Sequence, residues 1–135
     1  MLKALLRWSA VFTFSAVACC AWADPSADYL LHCGGCHLAD GRGAPPEVPT
    51  LVAVLGPIVA SQEGRDYVVR VPGASQTPLT DAQLAEVMNW VLITFNAATL
   101  GPNFMPLTGN EVGKARGQVL ADPIRLRRTL WPDYE

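Results

Sequence analysis

Cysteine and histidine are scarce in this 135-residue chain, which has four of one and two of the other. Cys19 and Cys20 lie in an apolar N-terminal stretch, which leaves Cys33 and Cys36 for the rest of the chain. No structural disulfide is therefore available there outside one short motif. Downstream of His37 there is neither Cys nor His, so the four ligands of a zinc site are not present. Charge is sparse as well, at 16% of residues with a net of -2. Lys3 and Arg7 belong to the N-terminal stretch, so the remainder is mildly acidic and lacks the basic stripe that nucleic acid selects. No long apolar run is present either. The one beginning at Trp8 carries Ser9, Thr13 and Ser15 and is short for a membrane span. Repeats and low-complexity tracts are absent.

What the N-terminus does have is the pattern of an export signal. Lys3 and Arg7 precede the apolar run, and Ala21-Trp22-Ala23 fits a small-x-small cleavage site, which makes Asp24 the expected mature start. A periplasmic location follows. An uncleaved anchor is one alternative; a lipid-anchored cysteine behind Ala16-Val17-Ala18 is another. The expected division is a signal peptide over 1–23, one small domain over 24–121 and a C-terminal tail over 122–135.

The domain centres on Cys33-Gly34-Gly35-Cys36-His37. Two thiols followed directly by histidine form the attachment motif for a covalent haem. On one helical turn both sulfurs reach the vinyl groups of one porphyrin, and His37 offers iron a neutral nitrogen. Gly34 and Gly35 remove side chains where backbone must pass close to a porphyrin edge. A redox disulfide of thioredoxin type would want a strand before the pair and a βαβ pattern around it, and neither is visible. His32 cannot easily reach the far face of the same haem and reads as a surface or supporting residue.

Around this motif the spacing predicts helices. A first helix is expected over Asp24 to Cys36, with Ala27, Leu30 and Leu31 in register. A loop rich in Gly and Pro follows from Leu38 to Pro57. Within it Pro49-Thr50-Leu51 resembles the stretch that borders the proximal haem face in small cytochromes, and that resemblance implies that the Pro49 carbonyl accepts the second imidazole N–H of His37; an ordinary turn proline is the alternative. Ser61 caps a helix to Val71, which ends at Pro72-Gly73, and a second loop runs to Leu79. Thr80-Asp81-Ala82-Gln83 is a capping box opening a long helix to about Ala98. Its apolar stripe is Leu84, Val87, Met88, Val91, Leu92 and Phe95, with Trp90 alongside, read as core packing. Thr108-Gly109-Asn110-Glu111 is a second capping box, opening a short helix that Asp122-Pro123 breaks. Arg125, Arg127 and Arg128 then read as part of a solvated tail, with a docking contact as the alternative.

The first helix, the Cys-x-x-Cys-His motif, the Gly/Pro loop and the capped long helix together resemble a class I, single-haem cytochrome c. The resemblance covers 24–98. It implies a mostly α, small helical domain wrapped around one covalent haem c, and a function in moving single electrons. Carried over by position, Cys33 and Cys36 hold the thioethers and His37 is the proximal iron ligand. The resemblance also implies a distal methionine just before the long helix, yet Val71 to Leu79 contains none. Met105, in a loop before a capped helix, is the candidate; Met88 is the runner-up, although a methionine in an apolar stripe is usually core filler. If neither binds, the sixth position is open, or weakly filled by water or an amide such as Asn103.

Six-coordinate His/Met iron suits an electron carrier. Five-coordinate iron suits a sensor of a small gas or a peroxidase-like enzyme. Peroxide chemistry wants a distal acid-base group, and only Arg65, Arg70 or a carboxylate is on offer. A carrier is therefore the favoured reading. Its expected partners are transient ones: a dehydrogenase, a respiratory complex or another cytochrome.

Overall fold

The computed structural model describes residues 24–132. The expected signal peptide, its cleavage site, Cys19 and Cys20 lie outside the described residues. Within them the fold is helical, as expected, and one isolated bridge between Ala44 and Val48 stands in place of any sheet. None of these helices is long and apolar enough to cross a membrane.

Helix α1 (Pro25–His32) starts at Asp24, whose carboxylate accepts from the Ser26 N–H at 2.9 Å, with Pro25 preset for the first turn. The single helix expected to Cys36 is broken at Cys33, and α2 (Gly34–His37) is a separate turn. The interruption is Cys33 itself, at φ -120, while Gly34 and Gly35 are helical in α2. The loop from Leu38 follows, and inside its expected span lie the first three residues of a short helix, α3 (Leu55–Ile58).

Ser61 caps α4 (Gln62–Arg70), its hydroxyl accepting from Gly64 N–H at 3.1 Å. The next stretch, expected as pure loop, contains one turn of helix, α5 (Pro72–Ser75). Helix α6 (Asp81–Asn96) is the longest, and its capping box forms in both directions. The Gln83 N–H donates to Thr80 Oγ1 at 3.3 Å, and the Thr80 N–H to Gln83 Oε1 at 3.0 Å. In α7 (Gly109–Arg116) only half of the second box forms. Thr108 Oγ1 accepts from Glu111 N–H at 3.2 Å, but the Glu111 carboxylate goes to Arg65.

The expected solvated tail is corrected by α8 (Pro123–Leu130). Asp122-Pro123 opens this helix, with Asp122 accepting from Arg125 N–H at 2.9 Å. Leu126, Leu130 and Trp131 pack against the core, so one face of the segment is docked. The core itself is built on α6. Leu84, Val87, Val91 and Leu92 are buried as the stripe predicted, against α1 on one side and α7 on another. Helix α4 packs on α7 and α8.

Candidate functional site

Cys33 closes α1 and opens α2, and Cys36 and His37 stand on the α2 turn. Neither cysteine is in a disulfide; Cys33 is half-buried and Cys36 exposed. Burial pushes the Cys33 thiol up, and the charge of the neighbouring Cys36 pushes it the same way. Cys33 is thus a neutral thiol at neutral pH.

The His37 ring is fixed. Its Nδ1 lies 3.0 Å from the Pro49 carbonyl, the partner the sequence had proposed. A carbonyl only accepts, so Nδ1 carries the proton and donates, and Nε2 is left with its lone pair. Burial lowers the His37 pKa, while the Pro49 bond pulls the other way. The ring is therefore neutral at neutral pH, the form that binds a metal.

The loop that brings Pro49 to His37 is tied down by backbone bonds. The Gly43 N–H donates to the His37 carbonyl at 3.0 Å, and the Leu51 N–H to the Gly41 carbonyl at 2.7 Å. Gly43 takes φ +64, and a Cβ there would lie 2.7 Å from the Pro49 and Val48 carbonyl oxygens. Only glycine suits that position. Leu38, directly after α2, also has positive φ (62), and Tyr29 holds it by donating its hydroxyl to the Leu38 carbonyl at 2.7 Å. Burial pushes the Tyr29 hydroxyl up to about 12, so it stays a donor.

Three aromatics support this end of α1. Tyr29 packs on Trp90 at 5.1 Å between ring centroids and on Phe95 at 5.5 Å. Trp90 is thus a packing residue against the first helix, as its place beside the stripe suggested.

Sequence reasoning missed the residue that joins α6 to the loop. Asn96 is 1% exposed; its Oδ1 accepts from Leu55 N–H at 2.8 Å, and its Nδ2 donates to the Leu51 carbonyl at 2.9 Å. The signal was present: an amide four positions after Leu92, where the stripe calls for an apolar residue.

No family model matches the chain. Among curated proteins it is 30% identical over 130 residues to a cytochrome c-552 of Thermus thermophilus, covering 78% of this chain and 87% of that protein. A second cytochrome c-552 of Thermus thermophilus is 30% identical over 118 residues, covering 70% of this chain and 90% of the relative. The chain belongs to the c-type cytochromes.

The other candidates in this cytochrome fall in different places. His32 ends α1 and is half-buried. Met105 is 71% exposed, and its own carbonyl is held by Arg65 Nη1 at 2.7 Å where α4 meets α7. Met88 is 9% exposed and belongs to the core along α6. Asn103 is exposed in the connection after α6. The two arginines considered for peroxide chemistry are both engaged. Arg65 grips Glu111 through Nε at 2.6 Å and Nη2 at 2.8 Å. Arg70 donates to the Gln118 and Val119 carbonyls at 3.2 and 3.1 Å.

Proposed function

We propose that this cytochrome is an exported single-electron carrier holding one covalent haem c. Cys33 and Cys36 supply the thioethers and His37 Nε2 the proximal bond to iron. The observation that carries the reading is the His37 Nδ1 to Pro49 carbonyl bond beside two thiols without disulfides on one helical turn. A ligand histidine needs its second nitrogen occupied in this way to fix its tautomer and raise its basicity.

The residues fit the group in other respects. A Cβ on Gly35 would meet no protein atom within 4 Å, and one on Gly34 only Leu30 Cδ2 at 3.6 Å and the Tyr29 carbonyl at 3.7 Å. The packing of the chain thus leaves the backbone at both positions open to a bound group. When bound, haem supplies one-electron exchange between ferric and ferrous iron. The chain attaches it, holds the proximal ring neutral and oriented, and sets its surroundings. Redox partners of the kind expected from the sequence (a dehydrogenase, a respiratory complex or another cytochrome) would meet it transiently.

A second reading, an iron open to a small gas or peroxide, is favoured by the loop before α6, because Val71 to Leu79 holds no methionine. Met105 lies where α4 meets α7, with its carbonyl on Arg65. Met88, on the interior, remains the methionine candidate for a carrier.

Absorption spectra of the exported protein, oxidised, reduced and reduced under carbon monoxide, separate the readings. A carrier gives a low-spin spectrum with a sulfur-to-iron band that carbon monoxide does not move. That band is lost in Met88→Ala or Met105→Ala, whichever removes the ligand. A high-spin spectrum shifted by carbon monoxide puts the ligand-binding reading first. Absence of covalent haem in the wild type, or its retention after Cys33→Ser with Cys36→Ser, overturns both.

A further inference from the structure

The loop that carries Pro49 to His37 has two kinds of fastening. Near the motif, Leu51 N–H is fixed on Gly41, Gly43 N–H on His37 of α2, and Leu38 is held by Tyr29 of α1. Those bonds shape the loop and fasten its start. Its far end is tied to the core by the end of α6. Ala53 N–H donates to the Phe95 carbonyl at 2.9 Å, and Asn96 takes the Leu51 carbonyl and the Leu55 N–H with its two amide ends.

Only Thr50 separates Leu51 from Pro49. With its N–H on Gly41 and its carbonyl on Asn96, Leu51 is pinned from both sides, so its neighbours have little freedom to shift. A side chain used only to stabilise the fold would not need to sit here. Asn96 is the buried polar residue among those described, and it costs desolvation that an apolar residue at the same place in the stripe would avoid.

We infer that Asn96 is a positioning residue for the proximal ligand: by gripping Leu51 and Leu55 from the end of α6 it holds the Pro49 carbonyl against His37 Nδ1. This rests on the reading of His37 as the iron ligand. The bond from Nδ1 makes the imidazole a stronger donor, and a stronger donor favours ferric iron. Loosening the loop weakens that bond, so the iron becomes easier to reduce.

Helix α6 supplies its own control. Asn89 makes the same pair of bonds, Nδ2 to the Leu107 carbonyl at 2.9 Å and Oδ1 from the Leu107 N–H at 2.7 Å, but it faces the approach to α7. An amide that merely staples a loop to a helix would behave alike at both positions.

The experiment uses haem-loaded protein and two readouts, the midpoint potential and the hydrogen-exchange rate of the His37 Nδ1 proton by NMR. Asn96→Ala is expected to shift the oxidised/reduced equilibrium toward ferrous by about three- to tenfold, tenfold being 59 mV for one electron, and to speed the exchange. Asn96→Leu keeps the branched shape and adds no charge but loses both the donor to Leu51 and the acceptor for Leu55. It should move both readouts in the same direction, and it decides the matter if the alanine variant is not recovered folded. Asn89→Ala should lower stability and leave both readouts at wild-type values. Unmoved readouts in a folded Asn96 variant overturn the inference, as do equal shifts in Asn89→Ala. Wild-type protein without covalent haem overturns this inference and the carrier reading together. Haem-loaded wild type with unresponsive Asn96 variants overturns this inference alone.

Discussion

Gly64 shows how little room single residues leave in this fold. It lies in the first turn of α4, and a Cβ added there would run into the Ile58 carbonyl, which is backbone and cannot rotate away. Gly64→Ala is expected to destabilise the protein by about 1–3 kcal/mol, the range for forced overpacking. Gly73→Ala is the matched contrast, because its Cβ would meet nothing within 4 Å. Urea unfolding of the two variants measures the difference; equal midpoints would contradict the packing at Gly64. At this scale the chemically marked residues were the legible ones. Cys33, Cys36 and His37 stand out by spacing alone, and the contact of the Pro49 carbonyl with His37 was expected from the resemblance of Pro49-Thr50-Leu51 to a cytochrome stretch. Asn96 interrupts the stripe four positions after Leu92, but its partners Leu51 and Leu55 lie far back in the chain, and local spacing does not name them.

Between elements, the strongest polar joint is that of α4 with α7. Arg65 meets the Glu111 carboxylate with two nitrogens, and both side chains are largely covered. The Arg65 side-chain bond is the main cause holding the Glu111 carboxyl below its ordinary 4.5. The sign follows directly. The folded state binds this proton less readily than the unfolded chain, so the pair's contribution is complete above pH 4.5 and is lost as pH falls through the lower folded value. Glu111→Gln should therefore lower stability at neutral pH and flatten the acid limb of the stability curve. Chemical denaturation at a series of pH values tests this, and an unchanged acid limb would count against it. The same carboxylate explains why the second capping box is incomplete. Sequence spacing showed a Thr and a Glu three positions apart but not the arginine of α4 that competes for the Glu. The box at Thr80 was read correctly because its partners are all local.

Taken whole, the described residues form an α6 scaffold with α1 and α2 on one side and a clasp of α4, α7 and α8 elsewhere. Helix α8 was hidden in the sequence by its charge. Three arginines between Asp122 and Trp131 read as solvated, yet Leu126 and Leu130 are spaced to share one helical face and pack against the core. Leu126→Asp with Leu130→Asp is expected to cost about 2–4 kcal/mol of stability while covalent haem content stays unchanged. Denaturation midpoints and a haem stain check the two parts separately. One joint in the clasp has a further consequence for motion. Arg116 of α7 donates to the carbonyls of Ser75, Thr77 and Leu79 at 2.9 to 3.3 Å and to the Asp81 carboxylate at 3.1 Å. The connection from α5 to α6 is thereby locked from outside. It cannot breathe alone, because opening it means releasing α7. Amide protons of the two segments should then exchange with solvent as a single cooperative unit, making α7 the latch on a loop it never enters.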